Sequence, residues 1–402
     1  MTLAADHDSF NKHNKKRKMK IGFDAKRIVH NNTGLGSYAR TLVNDLSETV
    51  TDDTQLRLYA PDQGNERLRR QVVARPNIVY CYPQHATFKW LWRSHGIVAD
   101  LVADDVDVYH GLSGELPVGI SKSGVRSVVT IHDLIFLRHP EYYNSFDRAI
   151  YTWKFQRTIA EADRIIAISE CTKRDIMFYG NVSPDRISLI YQSCSTFFKL
   201  RESEDKLQDV NARYMLPPRY IVCVGTIEER KNVLLAVKAL HRLPEELSLV
   251  IVGRSKPYCS KVREYIEQNR LNKRVLILND VSNEDLPAIY QMAEASVYPS
   301  RYEGFGIPII EAIQSGLPVV ACTGSCLEEA GGNDSLYVDP DDVYGMADAI
   351  AQVLKGAEGR EERIRRAQHY IERFEGNDVA RQMMELYRDV KKPSSVGRKA
   401  LP

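Results

Sequence analysis

Short apolar runs alternate with amphipathic stretches along nearly the whole chain. Strands are predicted at Lys20–Asp24, Leu56–Ala60, Val106–His110, Ser127–His132, Arg164–Ile168 and Ile187–Ile190. A second series is predicted at Tyr220–Gly225, Ser248–Gly253, Val275–Leu278, Ala295–Tyr298, Pro318–Ala321 and Leu336–Val338. These runs are β-branched and uninterrupted, and helical stretches separate them. That alternation predicts an α/β fold with parallel sheets covered on both faces. The polar stretch Lys199–Leu216, closed by Pro217-Pro218, interrupts the pattern and joins two doubly wound halves. Ligands of such sheets bind outside the carboxyl ends of the strands. Two such domains facing one another would set two groups of loops across a cleft.

The length, 402 residues, is too great for one compact core. At 43% hydrophobic and 27% charged, the composition is that of an ordinary globular protein. Lys+Arg at 55 against Asp+Glu at 53 leaves a net charge of +2, which disfavours a protein dedicated to nucleic acid. No apolar run approaches the ~18–20 residues of a membrane span. Seven cysteines, an odd number without a Cys-x-x-Cys pair, argue against a disulfide framework or zinc ribbon and for a reducing, cytoplasmic compartment. Asn11–Lys20 is strongly basic and no signal-type apolar stretch follows it. It is either a solvated tail or an electrostatic anchor for an anionic membrane surface. Phe88-Lys89-Trp90-Leu91-Trp92-Arg93 sets three rings and two cations in six residues. That stretch suits either a domain core or a membrane interface.

Four strand-end loops carry candidate chemistry. After Asp24 comes Asn31-Asn32-Thr33-Gly34-Leu35-Gly36, with a helix expected from Ser37. Gly34 and Gly36 suit either a close approach to phosphate or sugar, or a flexible turn capped by Ser37. His132, in Thr130-Ile131-His132-Asp133, ends a strand where it can hold a substrate, and His110 has the same placement with less support. Val224-Gly225-Thr226 ends another strand, and Glu228–Asn232 is expected to open a helix. Arg230 and Lys231 there would be electrostatically misplaced at a helix start unless an anion sits beside them. The alternative is a solvated turn offset by Glu228 and Glu229. The most informative segment is Pro299–Ala312, in which Gly304 and Gly306 expose amides before Pro308. Glu311 is expected in the first turn of the helix that Gly316 ends. Its carboxylate beside a phosphate site makes sense if it bonds ribose hydroxyls, while Glu303 lies nearer a reacting sugar.

The segment Glu303–Glu311 resembles the Glu-x7-Glu motif of retaining glycosyltransferases of family 4, which have the GT-B architecture. The resemblance runs over roughly Lys20–Val390. It includes Thr33–Gly36, Ile131–Leu134, Ile168-Ser169-Glu170, Gly225–Asn232 and Phe374–Val390, and is greatest to bacterial O-antigen and capsule mannosyltransferases. One departure is Thr226, where many members have Arg. The resemblance implies two Rossmann-like domains facing a cleft. The expected division is a disordered basic tail (1–18), an acceptor-side domain (19–200), a linker (201–218) and a nucleotide-sugar-binding domain (219–375). A helix packing back on the N-terminal domain (376–392) and a tail (393–402) complete it. It implies hexose transfer, with mannose from GDP-mannose as donor, to a glycan or lipid-linked acceptor. Glu303, His132, Arg230 and Lys231 would be catalytic. Gly34, Gly36, Gly225, Thr226, Arg254, Gly304, Phe305, Gly306, Ile307 and Glu311 would bind the donor.

No cofactor or metal is expected, because Arg and Lys supply the counter-charge. Asp105-Val106-Asp107 and Asp339-Pro340-Asp341 match the Asp-x-Asp pattern of metal-dependent transferases, yet acidic pairs in turns are ordinary. The rival readings are an inactive nucleotide-binding partner subunit of the same fold, and a sugar-nucleotide epimerase or phosphorylase. No motif for the pyridoxal phosphate lysine of a phosphorylase stands out.

Overall fold

The structure, a computed structural model, describes residues 17–83 and 89–392. Its strands are β1 (Met19–Asp24), β2 (Thr54–Tyr59), β3 (Ile78–Cys81), β4 (Val108–Gly111), β5 (Arg126–Ile131), β6 (Arg164–Ala167) and β7 (Ile187–Leu189). They form a sheet of order β3-β2-β1-β4-β5-β6-β7. The second series is β8 (Tyr220–Val224), β9 (Ser248–Val252), β10 (Val275–Leu278), β11 (Ser296–Tyr298), β12 (Val319–Cys322) and β13 (Leu336–Val338). Its order is β10-β9-β8-β11-β12-β13. The strand pairs recorded are all parallel. Only β3 lacks a predicted counterpart; it is a four-residue, half-buried edge strand, apolar but short.

Each sheet reverses direction of growth once, between β1 and β4 and between β8 and β11. Those are the switch points at which doubly wound sheets open a crevice for ligands. The β8–β13 sheet is covered on both faces by two buried apolar clusters. One includes Ile309, Ile310 and Phe374, the other Val237, Val262 and Ile350. This double burial is why its strands carry almost no polar positions.

Two compact units emerge. The first takes in the described residues up to Val129, Ala160–Arg164 and those from Ala380 on; the second takes in Thr130–Ile159 and Ile165–Val379. Residues 201–218 hold a helix, Glu204–Tyr214, capped by Ser203. In the first unit, helix Gly376–Lys391 brings the Tyr387 hydroxyl 2.7 Å from Nδ1 of His110. His110 is fully buried, so this partner makes it a packing residue. Among the described residues no helix is long and apolar enough to cross a membrane.

Candidate active site

The switch point of the second sheet carries the chemistry. Strand β8 runs into Gly225, whose φ is +152°, and β11 runs into Pro299-Ser300. A Cβ on Gly253, beyond β9, would lie 2.0 Å from the Gly225 carbonyl oxygen, so glycine is required where these two strand ends cross. Gly225, Thr226, Lys231, Tyr298 and Ser300 line a small depression open to solvent.

Arg230 and Lys231 do not open an α-helix. They sit in a single 3-10 turn, Glu229–Lys231, ended by Asn232 at φ +53°, and the helix Val233–Ala239 starts after it. Their charge is therefore set against carboxylates rather than a helix dipole. Lys231 Nζ lies 2.6 Å from Glu303 Oε1, and Arg230 Nη1 lies 2.9 Å from Glu303 Oε2. Arg230 also donates to the Tyr302 carbonyl at 2.5 Å and to Glu228 at 2.8 Å. Lys231 donates to the Tyr298 hydroxyl at 2.8 Å. Burial works against the Glu303 carboxylate, but Lys231 and Arg230 outweigh it and hold the group down to about 2. Burial likewise opposes the charge on both cations, and Glu303 more than compensates, so both stay protonated.

The loop carrying Glu303 is fixed from behind. Ser169 Oγ donates to the Gly304 carbonyl at 2.7 Å, and Thr172 Oγ1 reaches that carbonyl at 3.3 Å and the His132 carbonyl at 3.2 Å. Tyr302 donates to Asp175 at 2.6 Å. A Cβ on Gly304 would lie 2.0 Å from the His132 carbonyl oxygen, so only glycine lets this loop close on the end of β5. His132 and Glu303 are thereby built into one unit. Gln192 Nε2 donates to His132 Nδ1 at 2.8 Å; in the neutral imidazole this assignment leaves the proton on Nε2. Asp133, beside His132, is raised by burial, with the Ile135 amide and Arg230 opposing.

The helix beyond the loop is Ile307–Gln314, with Gly306 at φ +120° before it. Pro308 has no N–H, and the Ile309 amide turns back to the Gly306 carbonyl at 2.9 Å. The donors of this helix start thus reduce to amides around Gly304–Ile307. Glu311 lies in the second turn rather than the first, because the helix begins at Ile307. It is half-buried and accepts a 3.2 Å hydrogen bond from Tyr290. Burial pushes it up to about 7, with Tyr290 offsetting in part.

Other expected residues are placed differently. The Phe305 ring is core: it stacks on Tyr191 at 5.5 Å and meets Phe374 edge-on at 5.2 Å, leaving only its backbone for a ligand. Ile307 is half-buried and packs on the same cluster. Arg254 is exposed, and its carbonyl accepts from Ile227 at 2.9 Å. In the first unit the helix starts at Gly34, not Ser37, with Thr33 preceding it. Gly34 has open space beside it, whereas a Cβ on Gly36 would lie 1.9 Å from the Asn31 carbonyl oxygen. The Asp-x-Asp pairs are tied down. Asp105 and Asp107 bind Arg17 at 2.6 and 3.1 Å; Asp341 binds Arg301 at 2.5 Å and donates its amide to Asp339 at 2.8 Å. Among the described residues no three His, Cys, Asp or Glu side chains gather as a metal site.

In the aromatic stretch before residue 94 only the end is interior, and Lys89, Trp90 and Leu91 are exposed. Trp92 is buried and donates to Asp100 at 2.6 Å; Arg93 grips Asp24 at 2.5 Å and also pairs with Glu115; Lys89 pairs with Asp62 at 2.7 Å. Trp90 remains exposed, and Phe88 lies outside the described residues.

Comparison with solved structures places this architecture. A glycosyltransferase from Rickettsia africae aligns with TM-score 0.73 at 17% identity, over 94% of this chain and all of that one. Anabaena Alr3699/HepE, solved with UDP and glucose, aligns with TM-score 0.70 at 18% identity, over 92% of this chain and all of that one. The fold is that of a GT-B glycosyltransferase. The family model for glycosyltransferase family 4 matches residues 32–195, and that for group 1 glycosyl transferases matches residues 212–370. The chain thus carries a glycosyltransferase domain in each half, and it is a glycosyltransferase. O-antigen chain mannosyltransferase B of Escherichia coli is 28% identical over 393 residues, which is 92% of this chain and all of that protein.

Proposed function

We propose that this chain is a retaining hexosyltransferase of cell-surface polysaccharide synthesis, acting in the cytoplasm. It moves mannose from GDP-mannose to a glycan or lipid-linked acceptor. The observation that carries the site reading is the Arg230–Glu303–Lys231 cluster, built on a buried carboxylate, at the switch point of the second sheet. The full-length likeness to an O-antigen mannosyltransferase supports the choice of sugar and pathway class.

Transfer leaves a nucleoside diphosphate, so negative charge grows on the leaving phosphates in the transition state. Arg230 and Lys231 stabilise it, together with the amides around Gly304–Gly306. Glu303 holds both cations in place before the donor arrives. Each of its oxygens keeps a second lone pair, which can accept from a sugar hydroxyl. His132, with Nδ1 engaged by Gln192, offers Nε2–H to the sugar. The acceptor hydroxyl attacks from the leaving-group face, and the anomeric configuration is retained. Thr226 and Arg254 lie along the donor's path, and Glu311 takes the ribose.

A thermal-shift screen against GDP, UDP, dTDP and ADP, followed by nucleoside diphosphate release from the matching sugar, tests this reading. A ligand at 100 times its Kd stabilises by about 2.7 kcal/mol, and GDP should produce the largest shift. A larger shift with UDP would overturn the donor. No diphosphate release from any sugar nucleotide in the presence of glycan acceptors would overturn the activity.

Glu311 gives the nucleotide site a pH dependence. Its proton is held in the folded protein above the ordinary carboxylate range, so its contribution to stability is greatest at acid pH and falls as pH rises through about 7. Ribose hydroxyls bond the carboxylate better than the acid. Nucleotide affinity should therefore rise through about 7, by roughly five- to tenfold, the margin between charged and neutral acceptors. Calorimetric titration across that range should give a flat profile for Glu311→Gln. A 2′,3′-dideoxy nucleotide that binds as tightly as the ribonucleotide would remove Glu311 from the ribose.

A further inference from the structure

The loop that carries Glu303 is tethered by three successive carbonyls. Ser169 holds that of Gly304, and a single thiol holds the two on either side. Cys326 Sγ lies 3.0 Å from the Glu303 carbonyl oxygen and 3.0 Å from that of Phe305. Cys326 is fully buried, and burial pushes its thiol well above the ordinary range, so the sulfur keeps its proton and remains a donor. That one proton is shared between the two oxygens.

The thiol stands on a fixed post. Its residue precedes the short helix Leu327–Gly331, and the Cys326 carbonyl accepts the amides of Glu329 and Ala330 at 3.1 and 3.2 Å. Glu329 in turn accepts the amides of Glu170 and Cys171 at 2.7 and 3.0 Å, one on each carboxylate oxygen. The post is thereby tied to the same helix start from which Ser169 reaches Gly304. A Cβ on Gly306 would lie 3.1 Å from Leu327 Cδ2 and 3.4 Å from Ala330 Cβ, so loop and post are in close contact.

Both peptides that the thiol holds lead into a glycine, Glu303 into Gly304 and Phe305 into Gly306. A peptide can turn over where the φ of the residue after it is free, and glycine frees it. These two peptides therefore need a pin. In a planar trans peptide the C=O and N–H point in opposite directions. The two carbonyls point at Cys326, so the amides of Gly304 and Gly306 point away from it. Both glycines are buried, and among the described residues neither amide has a hydrogen-bond partner. Buried backbone donors are rarely left unpaired, so these two call for an acceptor that the chain does not supply.

We propose that Cys326 is a positioning residue for transfer, given that this loop takes the diphosphate of the donor. By holding the carbonyls of Glu303 and Phe305, it keeps the amides of Gly304 and Gly306 turned to the leaving phosphates and the Glu303 side chain on its two cations.

Cys326→Ala and Cys326→Ser are nearly equal in volume and differ in the donor. Well below the unfolding temperature, the alanine variant should lower kcat for nucleoside diphosphate release roughly tenfold, the rate equivalent of one hydrogen bond, with the donor KM nearly unchanged. Cys326→Ser should recover most of that loss. Cys326→Val, which fills the space without donating, should resemble the alanine variant. Pyrophosphate carries the charge that the donor's diphosphate acquires only on leaving, so its affinity should follow kcat. Calorimetric titration should show it weakened by about fivefold in the alanine and valine variants and restored in the serine variant. A residue that only packs would lower the thermal midpoint alike in Cys326→Ala and Cys326→Ser and leave kcat of the folded protein unchanged; that result would overturn the proposal. Wild-type binding of pyrophosphate matched by Cys326→Ala would overturn the role of Cys326 alone. Wild-type protein that binds no pyrophosphate would overturn the reading of the donor site, and this role with it.

Discussion

Replacing Lys231 by alanine is expected to lower turnover by roughly 10²–10³ while leaving the fold intact, the loss typical of one donor aimed at developing charge. The lysine touches three groups that fix its position. It pairs with Glu303 at 2.6 Å, donates to Tyr298 at 2.8 Å and lies against the Tyr298 ring at 5.1 Å from the centroid. The ammonium is therefore in place before the donor binds, and little reorganisation is needed as charge builds on the leaving phosphates. Removing it leaves Glu303 paired with Arg230, so the buried carboxylate keeps a counter-charge. The split between constants is informative. Interactions that strengthen only in the transition state appear in kcat, and those equal in both states appear in KM. The expected pattern is a large fall in kcat for nucleoside diphosphate release and a small change in KM for the donor, with unchanged circular dichroism. Near-normal turnover in Lys231→Ala would take this side chain out of the chemistry.

Periodicity revealed the elements that carry long, uniform signals. Strands such as Ser248–Val252 and Tyr220–Val224 are buried on both faces, so nearly every residue is apolar and the run stands out. Edge strand β3 is as apolar but only four residues long, and a run that short does not stand out from its surroundings. The strand-end rule located His132, Gly225 and the loop at Glu303. It did not bring in Gln192, although that residue also lies just past a strand, because its partner His132 is 60 positions away. Asp133, Tyr298 and Thr172 escaped for the same reason: their roles depend on contacts across the fold. Gly304 illustrates the limit. The sequence suggests exposed amides there, while its need for glycine comes from the His132 carbonyl 2.0 Å from where a Cβ would stand. Likewise, the cations at 230 and 231 are recognisable as anion binders, but the carboxylate that occupies them, Glu303, is far along the chain and becomes visible only through the fold.

Glu303→Gln should produce the largest loss of stability of any single change at the site, and the loss should be reversible by a diphosphate. The glutamine keeps the shape but removes the charge that balances two partly buried cations. Taking away one member of a buried ion cluster costs about 3–5 kcal/mol, because the remaining charges lose their compensation. The amide makes matters worse on one side: its oxygen can accept from one cation, but its NH2 then faces the other. Denaturant titration of the free protein should register that cost. Pyrophosphate or a nucleoside diphosphate brings negative charge to the same two side chains, so its stabilising effect should be greater in the variant than in the wild type. Catalysis should still fall, because the carboxylate that holds the cations and accepts from the sugar is gone. The acid limb gives an independent reading. Glu303 is held near 2 in the folded protein, below its ordinary value, so its contribution is full above that value and is lost as pH falls towards about 2. The wild type should lose stability over that window, and Glu303→Gln should lack that component. If the variant is as stable as the wild type at neutral pH and gains no extra stabilisation from diphosphate, then Arg230 and Lys231 are not held as a compensated pair, and the charge-exchange account of the site is wrong.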